Sequence, residues 1–212
     1  VVVSGATYGV LINGSSGVTV SKSTITATNF GIEATFPDSL EISDNTVDPL
    51  GFFTSLQFIT GSNVLRNAFT SGAHFAMLTA NLENDFFTGN TFTSPLGGVL
   101  VQNASIGGNT FVRNLFTGAV PFPGLWLLGS NNTTVYNNNF ETNVIHLQDD
   151  GGSGNVFDLA APTGGNWFDT FDESGEGCDD LIPVDGFCDA AFTFPGGQDD
   201  LPSLVLFDLI PN

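Results

Sequence analysis

Apolar positions along this chain do not follow a helical stripe; they recur as a short motif. An apolar residue is followed by two variable residues, Asn, one variable residue and a second apolar residue. The motif reads ISDNTV at Ile42 to Val47, VLRNAF at Val64 to Phe69 and FTGNTF at Phe87 to Phe92. IGGNTF at Ile106 to Phe111 and VYNNNF at Val135 to Phe140 continue it, and VSKSTI at Val20 to Ile25 is a first copy with Ser23 in place of Asn. Before each copy lies a second β-forming stretch, often opened by Gly, as in Gly9-Val10-Leu11-Ile12 and Gly98-Val99-Leu100-Val101. Short strands separated by turn residues, repeated every ~22 residues, predict stacked coils.

The expected fold is therefore all-β: a single-stranded right-handed parallel β-helix of about seven to eight coils. Residues two apart in a strand share a face, so an inward Phe69 places Asn67 inward as well. A lone buried amide is costly, whereas stacked amides hydrogen-bond to one another. Asn45, Asn67, Asn90, Asn109 and Asn138 are thus expected to form a structural ladder beside an apolar column of Val47, Phe69, Phe92, Phe111 and Phe140. The competing architecture is a leucine-rich repeat, which expects Leu dominance and a helical segment per repeat; Val, Ile and Phe dominate here. The coils are expected over residues 1–160, with a capping or extension segment over 161–212.

Composition narrows the functional classes. The chain holds 22 acidic residues against three basic ones, Lys22, Arg66 and Arg113. That balance excludes phosphate neutralisation, hence nucleic acid, and docking on anionic lipid. No apolar run reaches the ~18 residues of a membrane span. Cys178 and Cys188, ten positions apart, suit a loop-stapling disulfide and an oxidising compartment: extracellular, cell-surface or periplasmic. The opening at Val1, without Met or a signal sequence, is expected of a mature form or a fragment.

After the last motif come GNVFD, GGNWFDTFDESGEGCDD and FPGGQDDLPSL. Gly165, Asn166, Trp167 and Asp169, then Asp172, Gly175 and Gly177, then Gly196, Gly197, Asp199 and Pro202 carry a resemblance. The order is similar to the end of NosD-like periplasmic and surface β-helix proteins, which share their repeat type with carbohydrate-binding proteins and sugar hydrolases. The resemblance implies the same fold and an exported protein.

Candidate chemistry is sparse. Asp172, Ser174 and Glu176 with Gly177 mimic the first half of an EF-hand loop, so calcium is the one expected cofactor, held by Asp172, Ser174, Glu176 and either Asp180 or Asp169. For catalysis, His146 in HLQDD stands alone, the adjacent Asp pairs point to opposite faces of a strand, and no nucleophile constellation is present. Trp126 and Tyr136, with Phe52 and Phe53, are candidates for stacking on sugar rings. The apolar terminal run Leu204, Val205, Leu206, Phe207, Leu209 and Ile210 either caps its own solenoid or adds to another subunit. The expected role is a non-catalytic secreted or cell-surface structural or adhesive subunit that self-associates end to end. The alternative is an extracellular carbohydrate-binding or polysaccharide-processing protein.

Overall fold

The short strands close into a coil because left-handed corners separate them. The computed structural model describes residues 1–181 and 183–209. Each coil contributes one strand to each of three parallel sheets. Sheet 1 stacks eight strands from Val2–Ser4 to Trp167–Phe168, and sheet 2 stacks seven from Tyr8–Asn13 to Leu147–Asp150. Sheet 3 stacks six from Thr19–Ser21 to Thr134–Tyr136. The result is a parallel β-solenoid of about seven turns. The only helical element among the described residues is a single 3₁₀ turn, Ser174–Glu176.

The inward positions fill the core with stacked rings. Phe69, Phe92, Phe116, Phe140 and Phe168 are in register along sheet 1 and fully buried. Their ring centroids are 5.4, 5.2, 4.9 and 5.2 Å apart. Phe111 is not in this column. It belongs to sheet 3 and stacks on Phe87 at 4.5 Å.

The amide ladder runs at the corner between sheets 3 and 1. Asn45 Nδ2 donates to Asn67 Oδ1, Asn67 to Asn90, Asn90 to Asn114, Asn114 to Asn138 and Asn138 to Asn166, at 2.9–3.0 Å. The same oxygens accept the backbone N–H of the residue one coil below, beginning with Ser23. The expected member Asn109 is displaced by Asn114. Asn109 lies at the other polar corner, between sheets 2 and 3, where its Oδ1 accepts Asp85 N at 3.1 Å. There Asp85 in turn accepts Ser62 N at 2.7 Å. Both corners turn inward through a residue of positive φ, Arg113 before Asn114 and Gly108 before Asn109. They therefore present the same local motif.

The ladder's donor end meets a carboxylate. Asn166 donates from N and Nδ2 to Asp199 Oδ2 at 2.6 and 2.9 Å, and Leu201 N reaches Oδ1 at 3.1 Å. Burial pushes the Asp199 carboxyl up to about 7 against these donors. Asp199 ends the antiparallel hairpin Phe192–Phe194 with Gly197–Asp199, whose Phe192 stacks on Phe168 at 4.0 Å. This hairpin closes one end of the core. The disulfide Cys178–Cys188 ties down the loop before it. The coil stack itself extends through Trp167–Phe168, past position 160, because Asn166 continues the ladder.

The terminal segment turns back along its own solenoid and forms no strand over 204–209. Phe207 N donates to Asn139 Oδ1 and Asn139 Nδ2 returns to Phe207 O, both at 2.9 Å. Farther along, a Cβ on Gly89 would come within 2.7 Å of the Leu209 carbonyl, so this corner position is held open for the strap. Phe207 and Leu209 thus lie against this chain's own coils and Leu204 N bonds to Gly186 O in the cap loop, whereas Val205 and Leu206 are exposed. Ile210 falls outside the described residues.

Candidate ligand-binding groove on sheet 3

Three consecutive coils build an open groove on the outer face of sheet 3. Strand alternation sends Val135 into the core and Tyr136 outward, in register with Val112. Arg113 and Asn137 follow at φ 55° and 54°, and this corner geometry turns their side chains off the sheet. Asn137 Nδ2, in the amide orientation that satisfies its neighbours, donates to the carbonyls of Thr163 and Gly165 at 2.7 and 3.1 Å. The groove holds about 520 Å³, and Phe86, Val112, Tyr136 and Pro162 give it apolar walls. Arg113, Asn137, Thr88 and Thr163 supply its polar edges. No Asp or Glu lines it.

The three basic side chains sit on different coils but share one corner. Lys22, Arg66 and Arg113 all occupy the position of positive φ preceding the ladder, at 50°, 54° and 55°. Arg66 is engaged: its Nε and Nη2 clasp Asp44 at 2.8 and 3.0 Å, which holds the Asp44 carboxyl below the usual range. Among the described residues Arg113 has no carboxylate partner.

The expected carbohydrate pair is split. Tyr136 lines the groove, whereas Trp126 lies across a corner on sheet 2. There its Nε1 donates to Asp150 Oδ2 at 2.9 Å and its ring stacks on Phe122 at 5.8 Å. Phe52 belongs to an external column, Tyr8–Phe30–Phe52–His74, with centroids 5.5, 5.2 and 5.2 Å apart and interplanar angles of 8–26°. Phe53 meets Phe30 and Phe52 edge-on. Rings stacked on one another consume the faces that a pyranose would need.

The acidic loop does not assemble a calcium site. Asp172 N is bonded to Glu176 Oε2, Ser174 Oγ to Asp179, and Asp180 accepts the N–H groups of Asp185 and Gly186. Asp169 turns the other way: its Oδ2 accepts Thr142 N and its Oδ1 lies 3.2 Å from His146 Nε2. The short-range spacing imitates a calcium loop, but the chain satisfies its own N–H groups with those oxygens. Among the described residues no three His, Cys, Asp or Glu converge on a metal-sized point.

His146 is buried beside a cavity of about 200 Å³ bordered by Thr170, Phe192 and Phe194. Its Nε2 meets both Asp169 and Thr170 Oγ1, the latter at 2.9 Å, while Nδ1 has no partner. A proton relay needs the carboxylate and the nucleophile on opposite ring nitrogens, so this trio is not one. Burial holds the imidazole below its ordinary pKa.

Residues 1–173 match the family described as periplasmic copper-binding protein (NosD). No curated protein sequence matches the chain. Among solved structures, a mutant of the periplasmic alginate epimerase AlgG superposes with TM-score 0.57 at 16% identity, over 76% of this chain and 40% of that one. At that identity the likeness concerns the fold. The pentapeptide repeat protein HetL from the cyanobacterium Nostoc sp. strain PCC 7120 aligns at 12% identity over 74% of this chain and 87% of its own. Its TM-score of 0.17 supports no structural argument.

Copper in the family's description calls for imidazole, thiolate or thioether donors. Here Met77 is buried in the core, both cysteines are joined, His74 is stacked on Phe52 and His146 is enclosed by phenyl rings. These donors do not fit a shared copper ion. No helix among the described residues is long and apolar enough to cross a membrane. With the family match spanning 173 of 212 residues and a three-sheet solenoid beneath it, the chain belongs to the NosD family of periplasmic β-helix proteins.

Proposed function

We propose that this chain is a non-catalytic adhesive β-helix that holds a glycan in the groove on sheet 3. The observation that carries the reading is the Tyr136–Arg113 groove. It has apolar walls for the C–H face of a sugar ring and amide, hydroxyl and guanidinium groups for its hydroxyls. A glycosidase would need two carboxylates flanking the bound sugar, and none lines the groove. Arg113 favours a sugar bearing an acceptor-rich substituent, such as a carboxylate or sulfate ester. The alginate epimerase with the same fold supports a glycan ligand only by analogy.

The test is a panel of neutral and uronate-containing oligosaccharides, assayed for binding and for cleavage. Binding without cleavage is expected. Tyr136→Ala should weaken it by about fivefold or more, at a stacking worth ~1–3 kcal/mol. Binding that survives both Tyr136→Ala and Arg113→Gln, or any product formation, would defeat the reading.

A further inference from the structure

A second surface, on the opposite edge of sheet 3, is built from residues that the fold alone does not ask for. At the first turn after sheet 2 the backbone takes positive φ in every coil, at Gly14, Phe36, Phe58, Asn81, Asn103, Gly129 and Gly151. Gly and Asn suit this conformation; a bulky aromatic side chain does not. Two of the seven positions nevertheless carry Phe, at φ 57° and 54°. Neither ring is used in the core: Phe36 is 57% exposed and Phe58 43%. They stack on each other at 4.6 Å with planes 19° apart. The neighbouring Gly14 has open space around it, which leaves the outer face of Phe36 free. Strained backbone joined to exposed apolar surface marks an interaction site.

The surroundings specify what would dock. Two residues beyond Gly14, Phe36, Phe58 and Asn81, the bridged positions Ser16, Asp38, Thr60 and Glu83 run parallel to the Phe column. Asp38 and Glu83 therefore stand one coil to either side of Thr60, ~9.6 Å apart at two strand spacings. Neither carboxylate has a hydrogen bond or ion pair among the described residues. A shallow cavity of about 260 Å³ lies on the Glu83 side of Phe58, lined by Phe58, Thr60, Leu82, Glu83, Asn81 and the exposed Ile106. All three cations of the chain lie at the other corner of sheet 3. An aromatic pair flanked by two unpaired carboxylates is matched by an alkylammonium group: the ring face takes the cation, and the carboxylates take its charge.

We infer that the Phe36–Phe58 corner is a docking surface for a lysine-bearing segment of a basic partner protein, separate from the sheet 3 groove. The complementary charge is supplied by the chain's net −19, which draws a basic partner toward it.

The test uses the whole chain and a short peptide carrying two lysines, titrated by NMR or calorimetry. The decisive variant is Phe36→Asn with Phe58→Asn, which keeps every charge and installs the residue already present at positions 81 and 103. The expected result is at least about fivefold weaker binding with an unchanged or raised melting temperature, since Asn tolerates this backbone. Glu83→Gln should weaken the peptide in the same direction. Affinity of the double variant within about twofold of wild type would show attraction by bulk negative charge and overturn the inference. A lowered melting temperature would make the pair structural and do the same. Preferential binding of a neutral oligosaccharide at this corner would also overturn it.

Discussion

Replacing Asn114 with Ala removes one link from the interior ladder, and the structure fixes what is lost. Asn114 Oδ1 accepts the backbone N–H and the Nδ2 of Asn90, both at 3.0 Å. Its Nδ2 donates to the carbonyl of Phe87 at 2.9 Å and to Asn138 Oδ1 at 3.0 Å. Asn90 Nδ2 keeps a second acceptor in Val64 O, and Asn138 Oδ1 keeps the Asn114 backbone N–H. The group stranded outright is therefore the Asn90 N–H, and the side-chain bond to Phe87 O is lost with it, in a site closed to water. At ~1–3 kcal/mol for the buried unsatisfied N–H and ~1 kcal/mol for the lost side-chain bond, Asn114→Ala should cost about 2–4 kcal/mol. Asn109→Ala strands chiefly Asp85 N, since the Asn109 bond to Leu82 O is long at 3.3 Å, and should cost about 1–3 kcal/mol. Urea unfolding of both variants, compared at equal m, measures the difference. A loss at Asn114 smaller than that at Asn109, or below ~1 kcal/mol, would refute the register of the ladder.

Burial raises Asp199 to about 7 and Asp85 to about 6 from an unfolded value of 3.8, so the folded chain binds more protons than the unfolded one between those limits. Stability should fall as pH rises from ~4 to ~7, by up to ~4 kcal/mol for Asp199, and Asp199→Asn should flatten that slope in urea unfolding. An unchanged slope in the variant contradicts the assignment. With 22 acidic and three basic residues, self-repulsion is screened by salt. Raising ionic strength from about 0.1 to 1 M should raise the melting temperature, and a fall would speak against it. Opening the Cys178–Cys188 disulfide, which closes a ten-residue separation, should loosen the hairpin cap by ~2–3 kcal/mol while leaving the β-sheet circular dichroism in place. Loss of the whole β signal would mean that the cap nucleates the stack.

Much of the architecture was legible because a coil repeats its own chemistry. Asn45, Asn67, Asn90 and Asn138 are all in the ladder, as periodicity and parity required. Asn109 misled because both polar corners need an inward-pointing polar residue after a left-handed turn, so in this coil the six-residue motif occurs twice. The true copy, FVRNLF at Phe111 to Phe116, fits the same six-residue pattern and shares its Arg with VLRNAF. The calcium loop finds no support among the described residues for a different reason: side-chain spacing is visible in sequence, but competition from nearby backbone N–H groups is not. Likewise, nothing in the residues around Phe36 and Phe58 announces their positive φ. The common corner of Lys22, Arg66 and Arg113 was hidden by coil lengths that grow from 22 to 24 residues along the ladder. Tyr136 was legible as an outward aromatic beside Asn137, but Arg113 became its neighbour only once two coils were stacked.

The most direct test of the glycan-holding groove is to map amide chemical-shift changes on a labelled chain as the best oligosaccharide from the panel is added. The account predicts perturbations clustered on Thr88, Val112, Arg113, Tyr136, Asn137 and Thr163. A cluster on sheet 2 around Trp126 and Gln148, or shifts scattered over all three sheets, would contradict it.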